Sequence, residues 1–228
     1  MTRDRNFPRL HPPEHVLLDY ATGAAPASIV LIVACHLESC PQCQRDVALL
    51  EAVGGNYLET IEPVALSDEA RTEILRLLDH AASRHASGHR PAQAGAGVLP
   101  APLQHVIRHD LRELRWHSFD GQFEEAHLPA VSSDHRLSLL RATKGGRVPG
   151  HVHEGDEHLL VLQGSIQANG VQIRPGDYIF AEAGSSHEPT VDSEEDCLCL
   201  LVLAGPLRFE SPEAAHLDAH FAFHRYQH

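Results

Sequence analysis

Positive charge is scarce in this sequence. Eighteen lysines and arginines stand against thirty-one aspartates and glutamates, a formal net charge of −13 at pH 7, and the pI is near 5.8. A surface that grips nucleic acid works by displacing counterions with basic groups, so direct nucleic-acid binding is excluded. A basic protein is the expected partner. Long apolar runs are also missing. A run such as Ile29 to Cys35 is far shorter than the roughly 20 residues that cross a bilayer, so no membrane association is expected. The opening stretch, Met1-Thr2-Arg3-Asp4-Arg5-Asn6, is charged and has no apolar core of the secretory kind. These features lead to the expectation of a soluble, cytoplasmic protein. Cysteine is sparse and odd in number, with five in the chain, which disfavours a disulfide framework.

Histidine, by contrast, is abundant. With nineteen in 228 residues, a lone histidine says little, and only patterned ones carry information. The first pattern is His36-Leu37-Glu38-Ser39-Cys40-Pro41-Gln42-Cys43. Its His-x3-Cys-x2-Cys spacing offers one imidazole and two thiols to a tetrahedral ion, and nitrogen plus sulfur donors favour zinc. Pro41 suits the first position of a helix. The cysteines then lie at a helix N-terminus, where the dipole favours thiolate. A fourth donor must come from elsewhere, with His11 and His15 as candidates. A thioredoxin-like pair is disfavoured because the surroundings read as helical rather than βαβ.

The periodicity predicts four helices in residues 1–85. One follows Pro12-Pro13 and stops at Gly23. A second follows Pro26 with Ile29, Val30, Val33, Ala34 and Leu37, and a third runs from Pro41 to Gly54-Gly55. A fourth begins after Ser67. So small a helical unit buries little core, and a structural zinc, worth about 10–16 kcal/mol in small zinc domains, supplies the deficit. Four protein donors leave no open position, so no catalytic residue is assigned there. Between Glu51 and Asp79 lie seven acidic residues and two arginines, an acidic face for a basic partner or a plainly solvated one.

Residues 86–102, rich in glycine, alanine and proline, read as a flexible linker. Residues 103–228 then change to short strand-like runs: Arg136–Ala142, His158–Leu162, Ser165–Gln167, Gln172-Ile173, Tyr178–Phe180 and Cys197–Leu203. Gln163-Gly164, Asn169-Gly170 and Pro175-Gly176 punctuate them. That rhythm predicts a closed or double-sheet β architecture. Within it, His151 and His153 lie two apart in a strand and share a face. Glu157 and a later His187 complete a second candidate set. Three imidazoles and a carboxylate suit zinc, iron, manganese or nickel. Cys197 and Cys199 read as an inward-facing strand pair, Cys35 as a buried thiol, and His216, His220, His224 and His228 as part of a solvated terminus.

The spacing Gly145-x5-His151-x-His153-x3-Glu157-x6-Gly164, followed by Gly176-x7-Gly184-x2-His187, resembles the two motifs of the cupins. These are jelly-roll barrels with a metal inside. Glu182 and Val191 stand where that pattern usually has proline and asparagine. His11, His36-x3-Cys40-x2-Cys43 and Ala52-Val53-Gly54-Gly55, together with Asp196–Cys199 and Gly205–Phe209, resemble the ChrR-type zinc-binding anti-sigma factors over roughly residues 10–80 and 102–210. The resemblance implies a multidomain α plus β protein. Its helical zinc-stabilised domain (1–85) has ligands His11, His36, Cys40 and Cys43, and its cupin barrel (103–228) has ligands His151, His153, Glu157 and His187. It also implies sequestration of an extracytoplasmic-function sigma factor and its release on an oxidative signal such as singlet oxygen. A metal-dependent cupin enzyme, a dioxygenase or isomerase, is the alternative.

Overall fold

The computed structural model describes residues 7–86, 99–107, 110–119, 121–128 and 135–222. The chain opens with helices α1 (Glu14–Thr22), α2 (Ala27–Leu37), α3 (Pro41–Glu59) and α4 (Asp68–Ala86). Pro13 and Pro26 precede the first two, their φ of −58° and −56° already set for helix entry. Gly23 ends α1 in the left-handed region at φ 73°, where its N–H and that of Ala24 take up the last free carbonyls of Tyr20 and Asp19. At α4, the Ser67 hydroxyl accepts from the Ala70 N–H, and Asp68 and Glu69 occupy the first turn. One expectation fails: α3 does not stop at Gly54-Gly55 but continues to Glu59. Each glycine costs a helix interior about 1 kcal/mol, yet the helix continues through both. Nothing lies within 4 Å of where either Cβ would stand, so close packing does not explain them.

After α5 (Ala101–Val106) come the strands β1 (Trp116–Ser118), β2 (Phe123–His127), β3 (Arg136–Ala142), β4 (His151–His153), β5 (Glu157–Gln163) and β6 (Ile166–Ala168). Then follow β7 (Val171–Ile173), β8 (Tyr178–Ala181), β9 (Ser186–His187), β10 (Thr190–Val191), β11 (Cys197–Leu203), β12 (Leu207–Phe209) and the short helix α6 (Asp218–Phe221). They form a six-stranded sheet ordered β1-β2-β3-β11-β5-β8 and two three-stranded sheets, β10-β6-β7 and β12-β4-β9. Every pairing is antiparallel, the cupin-like β architecture read from the sequence. Asn169 and Gly170, with φ of 50° and 77°, make the tight turn between β6 and β7.

The middle of the large sheet is buried on both faces, and β11 shows how. Leu198, Leu200 and Val202 join a core with Ile29, Ile32 and Val33 of α2 and Leu103 of α5. Cys197, Cys199, Leu201 and Leu203 face the other way, into a core with Phe123, Val161 and Phe209. The sequence CLCLLVL is therefore continuous rather than alternating because both of its faces are dry. This packing groups residues differently from sequence texture. Residues 1–51 and 98–228 form one compact unit and residues 52–97 another. The first helices thus share a core with the barrel, whereas the texture change suggested a division at 86–102. Residues 87–98 of that expected linker lie outside the described residues.

A buried ion pair closes the α6 end of the barrel. Arg136 Nε donates to Glu125 Oε1 at 2.8 Å, its Nη2 pairs with Oε2, and His220 Nε2 reaches Oε2 at 2.6 Å. The solvated terminus expected for the histidine repeat therefore fails at His220; His224 and His228 lie outside the described residues. Burial alone would raise the Glu125 pKa, but His220 and Arg136 outweigh it and hold the carboxyl at about 2. Relative to an ordinary value of 4.5, its contribution to stability is full above that pH and is lost as pH falls toward 2. Arg136→Met leaves this carboxylate buried with one partner fewer. It should cost about 3–5 kcal/mol at pH 7 in urea unfolding, with a smaller deficit near pH 3. An equal deficit at both pH values would count against the pairing.

Candidate metal centres

The first centre is built where three segments meet. α2 ends at Leu37, and its last turn carries His36 inward, with no measurable exposure. The turn before α3 carries Cys40, and the first turn of α3 carries Cys43, each 1% exposed. The extended segment before α1 brings His11, while Cys40 Sγ accepts from the Cys43 N–H at 3.4 Å in the open end of α3. His11 Nδ1 lies 3.3 Å from Cys40 Sγ and 3.5 Å from Cys43 Sγ, and His36 Nε2 lies 3.4 Å from Cys43 Sγ. One donor atom from each residue falls within 4.8 Å of all the others. Tetrahedral zinc, with Zn–S of about 2.3 Å and Zn–N of about 2.0 Å, sets sulfur and nitrogen about 3.5 Å apart along the polyhedron edge. The separations fit.

The chemistry of the donors fits too. His36 Nδ1 lies 2.8 Å from the Gly176 carbonyl, which can only accept, so Nδ1 carries the proton and Nε2 offers its lone pair to the cysteines. Burial pushes the His36 pKa down to about 4, so the imidazole is neutral. Burial and the adjacent Cys40 push the Cys43 thiol up to about 12, so only a cation makes it a thiolate at neutral pH. Of the two candidate fourth donors, His11 joins the group; His15 is exposed and sits edge-on to Phe180 with ring centroids 5.5 Å apart. Cys35 is a buried free thiol that burial pushes up to about 12.

The second centre lies inside the barrel. Register pairs His151 with His187 across β4 and β9, and β5 opens with Glu157. His151 Nε2 and His187 Nε2 are 3.0 Å apart, His153 Nε2 is 3.3 Å from Glu157 Oε2, and His187 Nε2 is 3.7 Å from Glu157 Oε1. Behind them, His151 Nδ1 donates to the Pro149 carbonyl at 2.9 Å and His153 Nδ1 to that of Ser185 at 3.1 Å. Their Nε2 lone pairs are thereby left facing inward. His153 Nε2 and Glu157 Oε1 are buried without a hydrogen-bond partner. Bonds of about 2.1 Å to a shared ion give donor–donor edges of about 3.0–3.4 Å, so these four donors also fit a cation. Burial drives His187 down to about 4 and lowers His151. The imidazoles overcome the burial of Glu157 and keep it ionised.

The spacing of the ligating motifs points to His36, Cys40 and Cys43, and to His151, His153, Glu157 and His187; His11 rather than His15 comes from the family resemblance. It does not reveal that the His36 ring is held by a barrel carbonyl, which joins residues 140 positions apart. Cys197 and Cys199 face the interior as a pair of thiols 3.6 Å apart. They help line an apolar cavity of about 30 Å³ with Leu140, Leu159 and Val191. None of the barrel's four candidate donors lines that cavity.

Residues 104–208 match the model of the ChrR cupin-like domain. The anti-sigma-E factor ChrR of Cereibacter sphaeroides is 34% identical over 203 residues, 89% of this chain and 93% of that protein. The crystal structure of Rhodobacter sphaeroides SigE in complex with the anti-sigma ChrR matches with a TM-score of 0.70 and 32% identity. That match covers 86% of this chain and 99% of the matched one. The barrel's candidate donors, His151, His153, Glu157 and His187, fall within residues 104–208, and the chain belongs to the family of ChrR anti-sigma factors.

Proposed function

We propose that this protein binds a sigma factor of the extracytoplasmic-function group and withholds it from RNA polymerase. In this reading zinc in the His11, His36, Cys40 and Cys43 set holds the helical segment in its binding shape. A divalent ion in the His151, His153, Glu157 and His187 set lets the barrel govern release on a chemical signal. The observation that carries the reading is the apolar surface of α3 and α4. Leu49, Val53 and Tyr57 repeat every four residues along α3 and are 66%, 62% and 73% exposed; on α4, Ile74 and Leu78 are 46% and 60% exposed. Such apolar faces, set among the acidic residues between Glu51 and Asp79, suit a partner with an apolar groove and a basic rim. Membership of the anti-sigma family makes the chain a regulator rather than an enzyme.

Tyr57→Glu together with Val53→Glu should abolish co-purification with the sigma factor while metal content stays at the wild-type level. Persistent binding would move the partner surface elsewhere. Cys40→Ser or Cys43→Ser should each remove one equivalent of zinc and, with it, sigma binding. His11→Ala should weaken zinc binding more than His15→Ala; the reverse order would replace His11 by His15 in the set. Glu157→Gln keeps shape but removes the charge that helps hold a divalent ion. It should lower barrel occupancy and blunt signal-dependent release, with basal inhibition unchanged in a reporter assay. A normal response from a protein shown to lack the barrel metal would remove that ion from the switch.

A further inference from the structure

The corner that leads into β8, Arg174 to Tyr178, touches both histidine-bearing segments of the first centre. The Gly176 carbonyl takes the His36 Nδ1 proton at 2.8 Å. Asp177, only 2% exposed, divides its carboxylate. Oδ2 accepts from the Arg174 N–H at 2.9 Å, within the corner, while Oδ1 accepts from the N–H groups of Arg9 and Leu10 at 2.6 and 3.2 Å. The Leu10 carbonyl in turn accepts from the Tyr178 N–H at 3.0 Å. His11 is the next residue, so the strap that delivers it is fastened to the barrel on both of its backbone edges. Gly176 itself sits at φ 91°, and a Cβ there would meet Pro8 Cγ and Ser39 Oγ, each at 3.0 Å. Those two atoms belong to the segments that carry His11 and the His36–Cys40 turn. Contacts that short are tighter than most Cβ atoms make, so the two neighbours would have to give way.

We infer that this barrel corner is a working part of the His/Cys centre, with Asp177 as the positioning residue for His11 and the Gly176 carbonyl as the orienting partner of His36. The inference rests on reading that set as a metal site. It goes beyond it, because half of the donors are then aimed by the barrel and not by the helical segment that carries them. The corner is tied to β5 by the Gly176 N–H to the Val161 carbonyl at 2.8 Å and the Val161 N–H to the Asp177 carbonyl at 3.2 Å. β5 begins at Glu157, and β8 runs from the corner toward His187, ten residues after Asp177. The β5–β8 pair thus links the corner to Glu157, a candidate donor of the second centre, which pairs with Ala181 at the far end of β8; His187 follows on β9, in a different sheet.

The test uses the full-length chain with cobalt(II) as the probe, because a cobalt–thiolate site reports its donors in its absorption. Groups that hold a ligand from behind typically contribute 10–100-fold in metal affinity. Asp177→Ala should lower cobalt and zinc affinity of the thiolate site by that factor in chelator competition, and should shift the ligand-field bands as an imidazole is lost. Asp177→Asn, which keeps an acceptor for the Arg9 N–H, should fall between the two. Arg9→Pro removes the shorter of the two strap bonds without altering any barrel residue, and should reproduce the spectral shift. Unchanged bands and affinity in folded Asp177→Ala protein would overturn the inference. So would a shift in Asp177→Ala that Arg9→Pro does not share, since Asp177 would then serve only its own turn. A wild-type protein with no cobalt–thiolate band would instead overturn the metal-site reading, and this inference with it.

Discussion

His11, His36, Cys40 and Cys43 bring two sulfurs and two nitrogens together where water scarcely reaches, and that convergence constrains everything around it. Burial holds the Cys43 thiol protonated and the His36 imidazole neutral. Without a cation the cluster is therefore a set of buried polar atoms whose best partners are one another at 3.3–3.5 Å. A divalent ion turns the same geometry into charge-balanced thiolate and imidazole bonds, and its binding free energy becomes folding free energy for whatever brings the donors together. Here that includes the last turn of α2, the first turn of α3, the strap before α1 and, through Gly176 and Asp177, the barrel.

The division of the chain into compact units gives this arrangement its mechanical sense. Residues 1–51 and 98–228 pack as one unit around the two-faced sheet. Residues 52–97 form a second, in which Tyr57, Leu58, Val64 and Leu66 are 66–88% exposed. Apolar groups on that scale are costly to leave in water, at about 25 cal/mol per Å² of apolar surface. A partner that covers them gains what the free protein forgoes. On the proposed reading, the larger unit carries both sets of metal donors and the second unit offers the apolar surface for the partner.

Sequence alone reached the donors and most of the strands because each has a local signature. His-x3-Cys-x2-Cys and His-x-His depend on spacings within one turn or one strand. Asn169-Gly170 is a turn whose conformation its residues dictate. What escaped it was non-local. β2 reads FEEAH, and its two consecutive glutamates disguise a strand whose Glu125 is buried only because Arg136 and His220 meet it from elsewhere in the chain. α3 runs through two glycines that a local reading takes as its stop. The attachment of α2 to the barrel had one readable trace. Ile29, Leu31, Ile32, Val33, Cys35 and His36 are all buried, more positions than one stripe of a helix can supply. A helix apolar nearly all round must be covered on more than one side, and a small bundle has too few helices to do it.

A signal can release a bound partner only if it acts differently on the bound and free states. A metal site deep in a barrel does not by itself meet that condition, since its four donors could be the same in both. The β5–β8 pair supplies the missing connection. Glu157 stands at one end of it, opposite Ala181, and the Gly176–Asp177 corner inferred to aim His36 and His11 stands at the other. A shift of a few tenths of an ångström at the corner would act directly on the 2.8 Å hydrogen bond to the His36 imidazole. The donors that the corner touches belong to α2 and to the strap before α1, while the corner itself belongs to the barrel. On the proposed reading, the contact that orients the first centre's histidines is therefore also a place where the barrel can act on it.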